Sequence, residues 1–141
     1  MNRTYEEAHR AARISIRKGK LSAHRRAIAD GVYDALRETI GIPEGDRFQI
    51  ISEHGDDDLI VDPHYLGIER SRDNVIIQIF LSRGRSVEKK QALYRSIVER
   101  LHASAGVRKE DVMIALTEVG TEDWSFGLGE AQYVLNPPKK Q

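Results

Sequence analysis

The sequence predicts an α/β domain, more strictly α+β, made by duplication: two β-α-β units joined in a four-stranded sheet with two helices on one face. Three observations predict it. The chain resembles itself when shifted by 65 residues. Each half runs through the same order of patterns, from strand to glycine turn to helix to strand. Each helical pattern ends at a glycine, the usual stop for a right-handed helix.

The shift sets residues 12–53 on residues 77–118 without a gap. The identical positions are Ile14/Ile79, Gly19/Gly84, Ala27/Ala92, Leu36/Leu101, Gly41/Gly106, Asp46/Asp111 and Glu53/Glu118. Their even spread is what a folded repeat needs. Ala12–Arg17 alternates apolar and polar and reads as a strand with one covered face. Val75–Leu81 is more continuously apolar, which suits a strand buried on both faces. Basic turns follow, Lys18-Gly19-Lys20 and Arg83-Gly84-Arg85. The helices are read from Ala27, Ile28, Val32, Ala35, Leu36 and Ile40, and from Ala92, Leu93, Ile97, Leu101 and Ala105. Ser22 and Ser86 are their expected N-caps, and Gly41 and Gly106 their stops. Second strands then begin at Phe48–Ile51 and Val112–Leu116.

Two strands joined through one helix run parallel with a right-handed crossover. With both helices on one face, the opposite sheet face stays apolar and needs cover, for which another subunit is expected. Residues 54–73 link the halves, with Asp62-Pro63 and Gly67 as turn signals. Leu59, Ile60, Val61, Tyr65 and Leu66 imply that the link packs against something. Residues 120–135 hold the only tryptophan and are too aromatic for a frayed end. The division expected is an extension at 1–11, one domain at 12–135 and a tail at 136–141.

Composition narrows function. Twenty-two basic and 22 acidic side chains cancel, so nothing global draws the chain to nucleic acid or an anionic membrane. With no cysteine, thiolate ligands and cysteine nucleophiles are excluded. No apolar run has transmembrane length, and the first residues lack a signal-peptide core, so a cytoplasmic location is the default expectation. His54, Asp56, Asp57, Asp58, Asp62 and His64 match no metal-binding spacing, and read as a hydrated acidic loop.

Arg83 and Arg85 flank a glycine at a strand–helix junction. Guanidinium forks grip carboxylates in bidentate fashion, and a helix N-terminus favours an anion. An anion clamp is one reading. A solvated basic turn is the other, since Lys18 and Lys20 hold the same place in the first repeat. Asp46 opens a strand after a turn and is open to the same doubt, because Asp111 stands at the equivalent point.

Three segments carry a resemblance. GIPEGDRFQI (residues 41–50) resembles the helix-end and second-strand signature of the tautomerase superfamily. SRGRS (82–86) is similar to the arginine-pair turn of its malonate semialdehyde decarboxylase branch. DWSFGLGEAQY (123–133) is similar to the aromatic carboxy-terminal segment of that branch. The resemblance implies a tautomerase-like fold assembling as a homotrimer, with no cofactor or metal, acting on a small carboxylated carbonyl compound. It places the working aspartate on Asp46 and the carboxylate-binding arginines on Arg83 and Arg85. Trp124 and Phe126 then wall the pocket.

One departure stands at the front. Family members use an amino-terminal proline about nine residues before the first turn glycine. Counting back from Gly19 reaches Arg10, and the prolines lie only at 43, 63, 137 and 138. The implied activity is therefore an isomerase or lyase reaction (tautomerisation, hydration or decarboxylation) of proline-independent mechanism. The alternative is a catalytically silent trimer that binds a small anion. A third possibility is processing that exposes a primary α-amine, with a reference pKa of about 7.7–8.0.

Overall fold

The structure, a computed structural model, describes residues 10–42 and 44–137. Of the expected extension and tail, residues 1–9 and 138–141 lie outside the described residues. The main elements are β1 (Arg10–Arg17), α1 (Ser22–Thr39), β2 (Gln49–His54), β3 (Val75–Ser82), α2 (Val87–Ala105), β4 (Val112–Val119) and a short α3 (Gln132–Leu135). Both ends of β1 and the start of α1 fall at the 65-residue offset from β3 and α2. Gly19 and Gly84 adopt φ of 108° and 109°, so the two turns share a backbone that only glycine reaches without strain.

The sheet order is β2-β1-β3-β4. β1 runs parallel to β2 and β3 parallel to β4, as a helical crossover requires, and the two halves meet antiparallel through β1 and β3. Both helices pack on one face. Ile14 and Ile16 of β1, and Ile77, Ile79 and Leu81 of β3, point into that layer against Ile28, Val32, Leu93, Ile97 and Leu101. All ten are 3% exposed or less, and burying each such side chain stabilises by roughly 1.5–3 kcal/mol.

The structure corrects several expectations. β1 begins at Arg10, not Ala12, because Arg10 and Ala11 pair with Leu81 and Phe80. β4 runs on to Val119, where it pairs with Ser82 at the end of β3. Ser86 caps α2, accepting from Lys89 N at 3.1 Å. Ser22 does not cap α1; the extended residue there is Leu21, the repeat counterpart of Ser86, and it offers no side-chain acceptor. β3 is buried on one face only, since strand periodicity sends Ile76, Gln78 and Phe80 to the other. That outer face is also less apolar than expected. Arg13 pairs with Gln78 at its centre, with exposed Ile50 and Met113 nearer its edges. In the connecting segment Leu59 is buried, whereas Ile60, Tyr65 and Leu66 face outward.

Candidate active site

Strand direction decides where the candidate residues gather. β1 and β2 start at the end of the sheet where β3 and β4 finish: Arg10 pairs with Leu81, Ser82 with Val119, and Phe48 O accepts from Ala12 N. Asp46 leads into β2, Arg83 and Arg85 follow β3, and residues 120–135 follow β4. All of them therefore sit at one end. With strands about 4.8 Å apart, the ends of β2 and β3, on either side of β1, lie roughly 10 Å from each other. Side chains from both flanks are long enough to reach into that gap.

Each residue is held by its own surroundings. The turn bearing Asp46 is fastened to α1: Arg47 pairs with Asp30 at 2.6 Å, lies over the Tyr33 ring at 4.6 Å, and donates to Gln49. Tyr33 Oη also accepts from Gly45 N at 3.2 Å. Asp46 itself is half-buried, with Oδ2 out of reach of solvent. Arg85 is half-buried with its Nε enclosed, and Arg83 is exposed. Arg83 extends toward β4, its Nη1 approaching Gly120. The turn bearing the two arginines thus lies on the β3–β4 side and the turn bearing Asp46 on the β2 side.

The carboxy-terminal segment crosses this end on the outer side of the sheet. Trp124 stacks on Phe126 (centroids 5.3 Å, planes 13° apart), and Phe126 meets Phe48 at 5.8 Å and the edge of Tyr133 at 4.9 Å. Gln132 closes the loop, accepting from Phe126 N and donating to Gly127 O. Trp124 and Phe126 were legible as pocket candidates. Phe48 and Tyr133 were not, although each lay in a segment already singled out: Phe48 by its place in a strand pattern, Tyr133 by the aromatic run. Trp124 Nε1 and Ser82 Oγ are buried without a hydrogen-bond partner among the described residues.

The counterpart end of the repeat is built differently. Asp111 is only 2% exposed and accepts from Ser71 N at 2.7 Å and Ser71 Oγ at 2.5 Å. Its carboxylate is consumed in fixing a turn. In the acidic loop Asp56 pairs with Arg17 and Arg72, and Arg72 holds its carboxyl below the usual carboxylate range. Among the described residues no group of three or more acidic or histidine side chains is arranged to hold a metal ion.

Two family models, both described as tautomerase enzymes, match residues 46–127 and 12–68. The chain belongs to the tautomerase family. Among this tautomerase's relatives is the probable tautomerase YusQ of Bacillus subtilis (strain 168), 40% identical over 121 residues, 86% of this chain and 95% of that one. Among solved structures, FG41 malonate semialdehyde decarboxylase inhibited by 3-bromopropiolate is 46% identical with a TM-score of 0.83, covering 89% of this chain and 95% of its own. Another malonate semialdehyde decarboxylase, described with decarboxylase and hydratase activities, is 30% identical with a TM-score of 0.82, covering 89% and 96%. These neighbours establish the tautomerase β-α-β fold and make isomerase or lyase chemistry the class to which the family points. Among the described residues no helix is long and apolar enough to cross a membrane.

Proposed function

We propose that this tautomerase-family chain acts on a small oxo-carboxylate by tautomerisation, hydration or decarboxylation, without an amino-terminal proline. Arg83 and Arg85 take the substrate carboxylate as guanidinium forks and offset negative charge that builds on the oxo group as the reaction proceeds. Asp46 orients water or moves a proton at the neighbouring carbon. Trp124 and Phe126 supply the apolar wall that keeps bulk water away, which strengthens the charge interactions inside. The observation that carries the reading is the convergence of the segments bearing these residues at one end of the sheet, while Asp111 at the other end is spent on a turn.

The position counted for the proline is Arg10. Its backbone nitrogen is an amide within β1, in a residue paired with Leu81, and an amide nitrogen has no basic lone pair. General acid–base work therefore falls to side chains. The same observation favours a second reading, a chain that keeps the anion pocket and has lost the chemistry. The assays are enol–keto exchange of phenylpyruvate and decarboxylation of malonate semialdehyde. Turnover above background that disappears in the Arg83→Ala, Arg85→Ala double variant supports the enzyme. Unchanged rates in that variant defeat the mechanism, and no turnover with retained carboxylate binding leaves the silent binder. The exposed outer sheet face is the surface on which we place assembly into the homotrimer implied by resemblance; a mass of one or two chains by light scattering would overturn that assignment.

A further inference from the structure

An arginine on a glycine turn has several rotatable bonds with which to miss its target, so the turn itself has to be held. Glu118 of β4 holds it. Its carboxylate forms an ion pair with Lys90 in the first turn of α2, and the Gly84 N–H and the Arg83 charge both favour its ionised form. Glu118 thereby ties the start of the following helix to the neighbouring strand, beside the point where Arg83 N donates to Val119 O at 3.1 Å. Its carboxyl is held below the usual range first by Lys90, with Gly84 N–H and the charge of Arg83 adding to the effect.

Arg83 is bounded from the other side by Gly120. A Cβ placed on Gly120 would lie 3.3 Å from Arg83 Nη1 and 3.2 Å from Asp123 Oδ2. That Asp123 oxygen already accepts from Gly120 N at 2.7 Å. Gly120 has φ of −84°, which any residue adopts, so its missing side chain answers to space and not to backbone conformation.

We infer that Glu118 and Gly120 are positioning residues of the carboxylate clamp, Glu118 by fixing the turn that carries Arg83 and Arg85, Gly120 by leaving room for the Arg83 guanidinium. The inference rests on the oxo-carboxylate reading and deepens it. The repeat contains its own control. Glu53 is the counterpart of Glu118, Arg25 of Lys90 and Gly19 of Gly84. Arg25 lies 3.7 Å from Glu53 and donates to Lys20 O, so an acidic anchor is built at both ends of the sheet. Only the Glu118 copy stands under an arginine pair.

The test is binding of malonate to the full chain, followed by titration calorimetry, with thermal unfolding run on every variant. Glu118→Ala should weaken malonate roughly tenfold, the worth of about one hydrogen bond in seating the clamp. Glu118→Gln keeps an acceptor for Gly84 N–H and should stay within about threefold of the parent. Glu53→Ala should lower the melting temperature about as much as Glu118→Ala and bind malonate as the parent does. Gly120→Ala should weaken malonate roughly tenfold with the fold intact, because the guanidinium must give way by a few tenths of an ångström. Glu118→Ala and Glu53→Ala losing stability alike, with malonate affinity unchanged in both and in Gly120→Ala, would overturn the inference. Arg83→Ala in the same series separates the two claims. Parent-like binding in that variant sinks the oxo-carboxylate reading, whereas its loss together with parent-like Glu118→Ala and Gly120→Ala sinks only the positioning roles. Should Glu118→Ala not fold, Lys90→Ala, which removes the ion-pair partner of Glu118, should weaken malonate severalfold, and parent-like binding in Lys90→Ala and Gly120→Ala overturns the inference.

Discussion

Asp46 and Asp111 occupy matching points of the two repeats, and replacing each by alanine should separate a structural carboxylate from a functional one. Asp111 is 2% exposed and accepts two hydrogen bonds from Ser71, one from the backbone and one from the hydroxyl. A hydrogen bond to a charged group contributes about 1.5–3 kcal/mol. Against this stands the cost of burying the carboxylate, which Arg108, 3.8 Å away, offsets only in part. A net loss of about 3 kcal/mol follows for Asp111→Ala, since Ser71 N–H is also left without an acceptor. Unfolding entropy of about 2.1 cal/mol/K per residue gives roughly 0.3 kcal/mol/K for a chain of this size, so the melting temperature should fall by about 10 °C. Asp46→Ala should abolish turnover or weaken malonate binding, an effect that Asp111→Ala should not share. Urea unfolding gives the free energy, and the malonate titration gives the functional effect. A loss below about 1 kcal/mol for Asp111→Ala, or turnover and malonate binding unchanged in Asp46→Ala, would refute the division of roles.

Three further outcomes are expected. Gly19→Ala and Gly84→Ala should each cost about 1–3 kcal/mol, because their φ values match and nothing lies within 4 Å of either added Cβ, and only Gly84→Ala should weaken malonate; thermal unfolding and calorimetry check both. Phe126→Ala removes ring contacts to Phe48, Trp124 and Tyr133, so it should destabilise by about 2 kcal/mol and shift the emission of the single tryptophan to the red. Because the folded Glu118 carboxyl sits below its ordinary value of 4.5, its ionised form stabilises the fold above that pH, and the contribution fades as pH falls through the lowered value. The difference in melting temperature between the parent and Glu118→Gln should therefore shrink between pH 6 and pH 3.5, and a constant difference would show that the charge of Glu118 is not what stabilises.

Much of the candidate site was legible because it rides on turns, and turn chemistry is local. Arg83, Arg85 and Asp46 were visible as charged residues at strand ends, but their bland alternatives were equally visible in Lys18, Lys20 and Asp111. Nothing in sequence spacing could say that Asp111 meets Ser71, which lies 40 residues away. Glu118 and Glu53 stood among the identical positions of the repeat without a role, although Lys90 and Arg25 at the same offset were a signal of paired anchors. Phe48 passed as one more strand residue until its outer-face direction set it beside Phe126.

By itself the sequence determined the duplication, the order of the two β-α-β units, the parallel pairing within each unit and the single covered face of β1. Those follow from periodicity, glycine turns and the geometry of a helical crossover, which act over a few residues. Only the tertiary structure decided how the halves meet, that Arg13 and Gln78 occupy the middle of the outer face, and that Asp111 is taken up by Ser71. These depend on which distant atoms compete for the same donor or the same volume, and such competition has no trace in local spacing.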